Sequence, residues 1–137
     1  MRQPLLLLAL LALLASACGK VSGPSATIPQ GLWGGDGIQM VVTATGASVD
    51  YGCDAGTVDE PLFLDLNERF SLRGTYSFGR GGPREAGVSP STPHPARYEG
   101  TSDGRRLTLT VYLSDLARGA GEYRLEFGRQ GSLDRCL

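Results

Sequence analysis

Histidine, tryptophan, lysine and asparagine each occur once in the 137 residues, as His94, Trp33, Lys20 and Asn67. Catalysis that needs an imidazole must therefore use His94. One imidazole with scattered carboxylates is a poor metal-ligand set, and the sequence calls for no metal or other cofactor. The three cysteines, Cys18, Cys53 and Cys136, form no C-x-x-C pair and no Cys/His cluster, so zinc and thiol-redox chemistry lack a motif. No G-x-S-x-G elbow is present, and Asn67 is followed by Glu68-Arg69, so it is not a glycosylation acceptor. The apolar run at the amino end is shorter than the roughly 20 residues that cross a bilayer as a helix. No internal repeat stands out.

That short run is informative for what it is. Met1-Arg2-Gln3 supplies a positive tip, a leucine-rich core follows, and Ala15-Ser16-Ala17 supplies small residues before Cys18. This is the layout of a secretory signal, removed on export. The cleavage region resembles the bacterial lipobox, in which a small-residue triplet precedes a cysteine that takes a diacylglycerol. The resemblance implies acylation of Cys18, and Gly19 at the next position implies sorting to the outer membrane, facing the periplasm. Ala15 departs from the leucine favoured at the first triplet position. The same triplet also satisfies ordinary signal peptidase, whose product would be a secreted or periplasmic soluble protein.

Removing residues 1–17 leaves 12 basic residues against 14 acidic ones, a net charge near −2. Such a domain has no electrostatic footprint for nucleic acid. Acylation of Cys18 leaves Cys53 and Cys136 as an even pair in an oxidising compartment. A bond between them closes an 84-residue loop, for which the chain-entropy model gives about 4–5 kcal/mol. Two buried free thiols are the alternative. Residues 18–30 carry Pro24 and Pro29 among small polar residues and read as a lipid-anchored flexible tether. Residues 31–137 are long enough for one domain with a core.

The periodicity is that of strands. Ile38, Met40 and Val42 alternate with Gln39, Val41 and Thr43, and Ala47, Val49, Tyr51 and Cys53 with Ser48, Asp50 and Gly52. These two runs predict the first hairpin, with Cys53 on the core face. A strand broken at Pro61 is expected over 57–64 and a turn over 65–68. The next strand, 70–78, has Gly74 marking a bulge or bend. Residues 79–95 hold four glycines and four prolines and read as a long loop containing His94. Ala96, Tyr98 and Gly100 begin a strand, Asp103-Gly104 turns, and Leu107, Leu109, Val111 and Leu113 form the clearest strand of the chain. A helical turn over 114–117, a glycine-rich corner over 118–121, a strand through Tyr123, Leu125 and Phe127, and a short piece over 131–136 complete the chain. About eight sequential strands predict an all-β, antiparallel up-and-down barrel, with a β-sandwich as the alternative.

Gly31-Leu32-Trp33 resembles the Gly-x-Trp opening of lipocalin-like barrels. The resemblance implies a tryptophan plugging one end, with Arg124 or Arg129 lying over its ring. More broadly, Gly31 to Asp36 and the terminal Cys136-Leu137 are similar to those of small bacterial lipoproteins, a resemblance that implies no activity. The expected function is a non-enzymatic binding module of the cell envelope. Its partners would be membrane lipid through acylated Cys18, and a small apolar ligand or an envelope protein. The contact candidates are Arg80, Arg84, His94, Arg97 and Tyr112, since arginine and tyrosine often carry interface energy. An inhibitor of an exported hydrolase such as lysozyme, a hydrolase using His94 or the carboxylates Asp54, Asp59, Glu60 and Asp65, and a purely structural envelope component are the alternatives.

Overall fold

The computed structural model describes residues 26–79 and 92–134. The signal 1–17, Cys18, the tether up to residue 25, Arg80, Arg84, most of the 79–95 connection and the Cys136-Leu137 end lie outside the described residues. The strands are β1 (Gly31–Gly35), β2 (Ile38–Val42), β3 (Ala47–Asp50), β4 (Ala55–Val58), β5 (Arg69–Ser77), β6 (His94–Ser102), β7 (Arg106–Leu113) and β8 (Arg118–Phe127). Each pairs antiparallel with the next, and β8 closes on β1 through Trp33↔Phe127 and Gly34↔Glu126. The result is a closed eight-stranded up-and-down barrel of the lipocalin-like kind. The β8–β1 pairing excludes the sandwich alternative.

Period-2 alternation builds this wall. Along β7, Leu107, Leu109, Val111 and Leu113 are buried, while Arg106, Thr108, Thr110 and Tyr112 are exposed. Ile38, Met40 and Val42 on β2 and Phe70 and Tyr76 on β5 complete the inner face. Each such side chain contributes about 1.5–3 kcal/mol of transfer energy. Tyr98 lies fully buried across two glycines, Gly56 and Gly74. A Cβ on Gly74 would collide with the Thr57 carbonyl oxygen, and one on Gly56 with the Tyr98 hydroxyl, so the missing side chains let strands and ring approach closely. The register through Gly74 is continuous, so the expected bulge is absent.

Several boundaries differ from expectation. The first hairpin is β1–β2, one strand earlier than predicted. Asp36-Gly37 forms its turn, with Gly37 at φ 76°, and Gly35 pairs with Ile38. Cys53 does not extend the β3 alternation. Gly52, at φ 87°, ends the strand and leaves Cys53 half-buried in the β3–β4 turn. The expected 57–64 strand stops at Val58 and leaves only a Phe63↔Thr27 bridge. The 118–121 corner is instead the start of β8, with a register shift opposite Val111/Tyr112.

The barrel has two unlike ends. At the closed end, residues 26–30 are not free tether. Ile28 is 2% exposed, its amide donates to the Leu62 carbonyl at 2.9 Å, and the Leu64 amide donates to Ala26. Trp33 is fully buried there and donates through Nε1 to the Pro29 carbonyl at 2.9 Å. Its ring neighbour is Phe127, 5.2 Å between centroids, in place of the expected arginine. Arg129 instead bonds Asp36 at 3.1 Å, and Arg124 is exposed. After β8 the chain returns along the outside of the β1–β2 hairpin. Gly128 donates to Leu32, Ser132 donates to Gly35, and Gly37 donates back to Ser132. This strap reaches Asp134, whose carbonyl oxygen lies 2.5 Å from the place a Cβ on Gly52 would take.

Trp33→Ala is expected to lower unfolding free energy by about 3–5 kcal/mol, and Gly74→Ala by about 1–3 kcal/mol, in guanidinium denaturation followed by circular dichroism.

Candidate functional site: the loop end of the barrel

The end opposite Trp33 carries the β1–β2, β3–β4 and β7–β8 turns and the connection from β5 to β6. Inward-facing aromatics climb toward it in a continuous series. Tyr123 meets Tyr51 at 5.4 Å, Tyr51 meets Tyr76 at 5.0 Å, Tyr76 meets Phe78 at 5.0 Å, and Phe78 meets His94 at 5.3 Å. The series runs from buried Tyr51 to half-buried Phe78 and His94. The interior beneath is filled by side chains, among them Trp33, Met40, Tyr98 and Leu107, each almost fully buried.

Hydrogen bonds hold the aromatic series in place. Tyr51 donates to the Tyr98 hydroxyl at 3.2 Å, and Tyr98 donates to the Thr75 carbonyl at 2.7 Å. Tyr76 donates to Asp54 Oδ2 at 2.6 Å, while Asp54 Oδ1 accepts the Gly79 amide at 2.9 Å. Asp54 thus ties the β3–β4 turn to the first residue of the long connection. Burial, first of all, pushes these phenols up. Tyr98 reaches about 12, and Tyr51 and Tyr76 lie higher, Tyr51 beside Tyr98 and Tyr76 bonded to the Asp54 carboxylate. Tyr123 is raised by burial and by Asp54. All four are neutral packing surfaces, and Tyr51, Tyr76 and Tyr98 are also donors.

His94 is not a loop residue, as expected from its prolines, but the first residue of β6, paired with Tyr76. Its Nδ1 lies 2.7 Å from Asp115 Oδ2 in the β7–β8 turn. That bond holds the Asp115 carboxyl below its ordinary value. Arg118 completes the rim, its guanidinium 5.6 Å from the Phe78 ring centroid. A cation over an aromatic face is a favourable contact. Arg118 faces the mouth because of the register shift. Gly121 opposes Val111 and Gly119 opposes Tyr112, so Ala120 is extra and Arg118 falls opposite inward Leu113. Such bulges re-aim side chains.

The other sequence candidates fall elsewhere. Arg97 and Tyr112 are direct cross-strand partners, but on the outer wall. Arg97 donates to the Ser71 hydroxyl at 2.9 Å. The four carboxylates are not brought together. Asp54 sits at the loop end, while Asp59, Glu60 and Asp65 lie at the closed end, where Glu60 pairs with Arg73 at 3.0 Å and Asp65 accepts the Asn67 and Arg69 amides. Among the described residues, no group of three or more His, Cys, Asp and Glu side chains is placed to hold a metal. Arg118 and Phe78 carry no motif. The Gly119-Ala120-Gly121 run is the one sequence sign of the irregularity that turns Arg118 inward.

Fold and rim together define a closed, side-chain-filled barrel with an aromatic and charged mouth. No family model, curated protein or solved structure matches the chain.

The folded chain holds the phenolic protons of Tyr51, Tyr76 and Tyr98 more tightly than the unfolded chain, where they titrate near 10.0. Their contribution to stability is complete below pH 10 and is lost as pH rises through the Tyr98 value of about 12. Absorbance at 295 nm and circular dichroism, followed together from pH 9 upward, are expected to show these tyrosines ionising only as the barrel unfolds.

Proposed function

We propose that the chain is an exported lipoprotein, anchored through acylated Cys18, which binds an envelope protein at the loop end of its barrel without catalysing a reaction. The observation that carries this reading is the aromatic series ending in Phe78, His94 and Arg118 beside the β5–β6 connection. It offers a rigid surface of the residue types enriched at interface hot spots. The filled interior favours a protein over a small apolar ligand inside the barrel. An inhibitor of an exported hydrolase is one form of this reading.

The proposed Cys53–Cys136 disulfide would fasten the carboxyl-terminal strap to this same end. The approach of Asp134 to Gly52 supports it, since each neighbours one of the cysteines closely in sequence. A second reading rests on the His94–Asp115 pair, which resembles an oriented general base. Among the described residues the ring's bonded partner is a carboxylate and its packing partner is Phe78. Neither is a hydroxyl or thiol nucleophile, so the binding reading is preferred.

Intact-mass analysis of the membrane-extracted protein is expected to show loss of residues 1–17, acyl groups on Cys18, and no alkylation of Cys53 or Cys136 without reductant. Cross-linking in cells should capture a discrete envelope partner. Arg118→Glu should weaken that complex by about 2 kcal/mol, near thirtyfold in Kd, with the unfolding midpoint little changed, and Phe78→Ala should weaken it similarly while also lowering the midpoint, since Phe78 packs on Tyr76 and His94. His94→Gln should leave binding of the partner stronger than either. Loss of a measurable turnover in His94→Gln, with binding intact, would replace this reading by the hydrolase.

A further inference from the structure

The closed end carries an apolar surface that the barrel does not use. Leu66, at the tip of the β4–β5 connection, is 94% exposed, and Phe63 on the same connection is 52% exposed. Phe127, at the end of β8, packs on Trp33 with one part of its ring and is otherwise exposed on the same end. An isolated exposed leucine needs no explanation. Here, however, the chain itself places something opposite. Residues 26–30 are bonded to this end through Ala26, Ile28 and Pro29, so the amino-terminal chain leaves the barrel beside Phe63 and Leu66.

We infer that the closed end docks on the surface of the bilayer, with Leu66 and Phe63 entering the interface and the loop end held away from it. The inference rests on the acylated Cys18 proposed above. Eight residue steps separate Cys18 from Ala26. Extended, they reach at most about 28 Å, and as a flexible chain about 15 Å. A tether of that length leaving from the closed end keeps that end within contact distance of lipid. The charges there are mixed, Asp59, Glu60, Asp65, Glu68 and Asp103 against Arg69, Arg73, Arg105 and Arg106, so no basic patch calls for an anionic headgroup and the attraction is apolar. Strand β6, nine residues long and tilted roughly 40°, sets the barrel height at about 20–25 Å. The aromatic rim therefore stands about that far above the membrane, open to a partner on the aqueous side. Leu116, 42% exposed in the β7–β8 turn, lies at the far end and serves as the internal control.

The acylated full chain is reconstituted in phosphatidylcholine vesicles, with or without acyl-chain-brominated lipid, as Leu66→Trp and Leu116→Trp variants whose unfolding midpoints match the parent. Emission beyond that of buried Trp33 reports on the added residue. Brominated lipid is expected to quench the residue-66 emission by half or more and to leave the residue-116 emission unchanged. Equal quenching at both positions, quenching at 116 alone, or no quenching at 66 in protein that floats with the vesicles overturns the orientation while leaving the anchor intact. A mass without acyl groups removes the tether and overturns both.

Discussion

The seam between β1 and β8 holds the architecture together. A sheet of eight strands exposes two edges unless it closes, and an open edge invites pairing with other chains. Closure here rests on only two register pairs, Trp33↔Phe127 and Gly34↔Glu126. The strap after β8 adds to it, bonding Leu32, Gly35 and Gly37 across the same hairpin. Trp33 packs at a tilt against Phe127 at the seam and bonds the Pro29 carbonyl below it. One side chain thus joins the seam, the closed end and the segment leading to the amino terminus.

Closure also forces curvature, and curvature explains the interior. Gly56 and Gly74 let strands bend tightly, and Tyr98 fills the space their missing side chains leave. Its hydroxyl finds Tyr51 and the Thr75 carbonyl, so burial costs little. From there the aromatic series rises to the loop end, where polar partners appear in step with solvent: Asp54, then Asp115, then Arg118. The two ends divide the work. The closed end is sealed by apolar side chains and backbone bonds to residues 26–30, and the loop end presents aromatic faces and charge.

Legibility in the sequence followed the strength of the local pattern. β7 was readable to within one residue, since Leu107, Leu109, Val111 and Leu113 alternate with Thr108, Thr110 and Tyr112. The Gly-x-Trp setting implied a tryptophan at one end under an arginine; Trp33 is buried at that end, but its ring neighbour is Phe127. The β1–β2 turn was overlooked although Asp36-Gly37 is the same dipeptide that marked the β6–β7 turn, because glycines in β1 weaken its alternation. His94 was placed in a loop because two prolines flank it. An edge-free strand still accepts Pro95 at its outset, before the ladder is complete. Arg97 and Tyr112 were grouped with His94 as contact candidates, but period-2 parity alone does not say that their wall is remote from the mouth.

By itself, the sequence determined that the chain is all-β, roughly how many strands it has, which faces are apolar, and that a tryptophan sits at the first strand. These follow from alternation and turn chemistry, which act over a few residues. Only the tertiary structure decided which ends the side chains share. His94 and Asp115 are 21 residues apart, Tyr51 and Tyr98 are 47 apart, and Asp36 and Arg129 are 93 apart. Their meeting depends on barrel closure, on strand register and on one extra residue in β8. A one-residue change of register turns a side chain to the opposite face, and no local pattern records it.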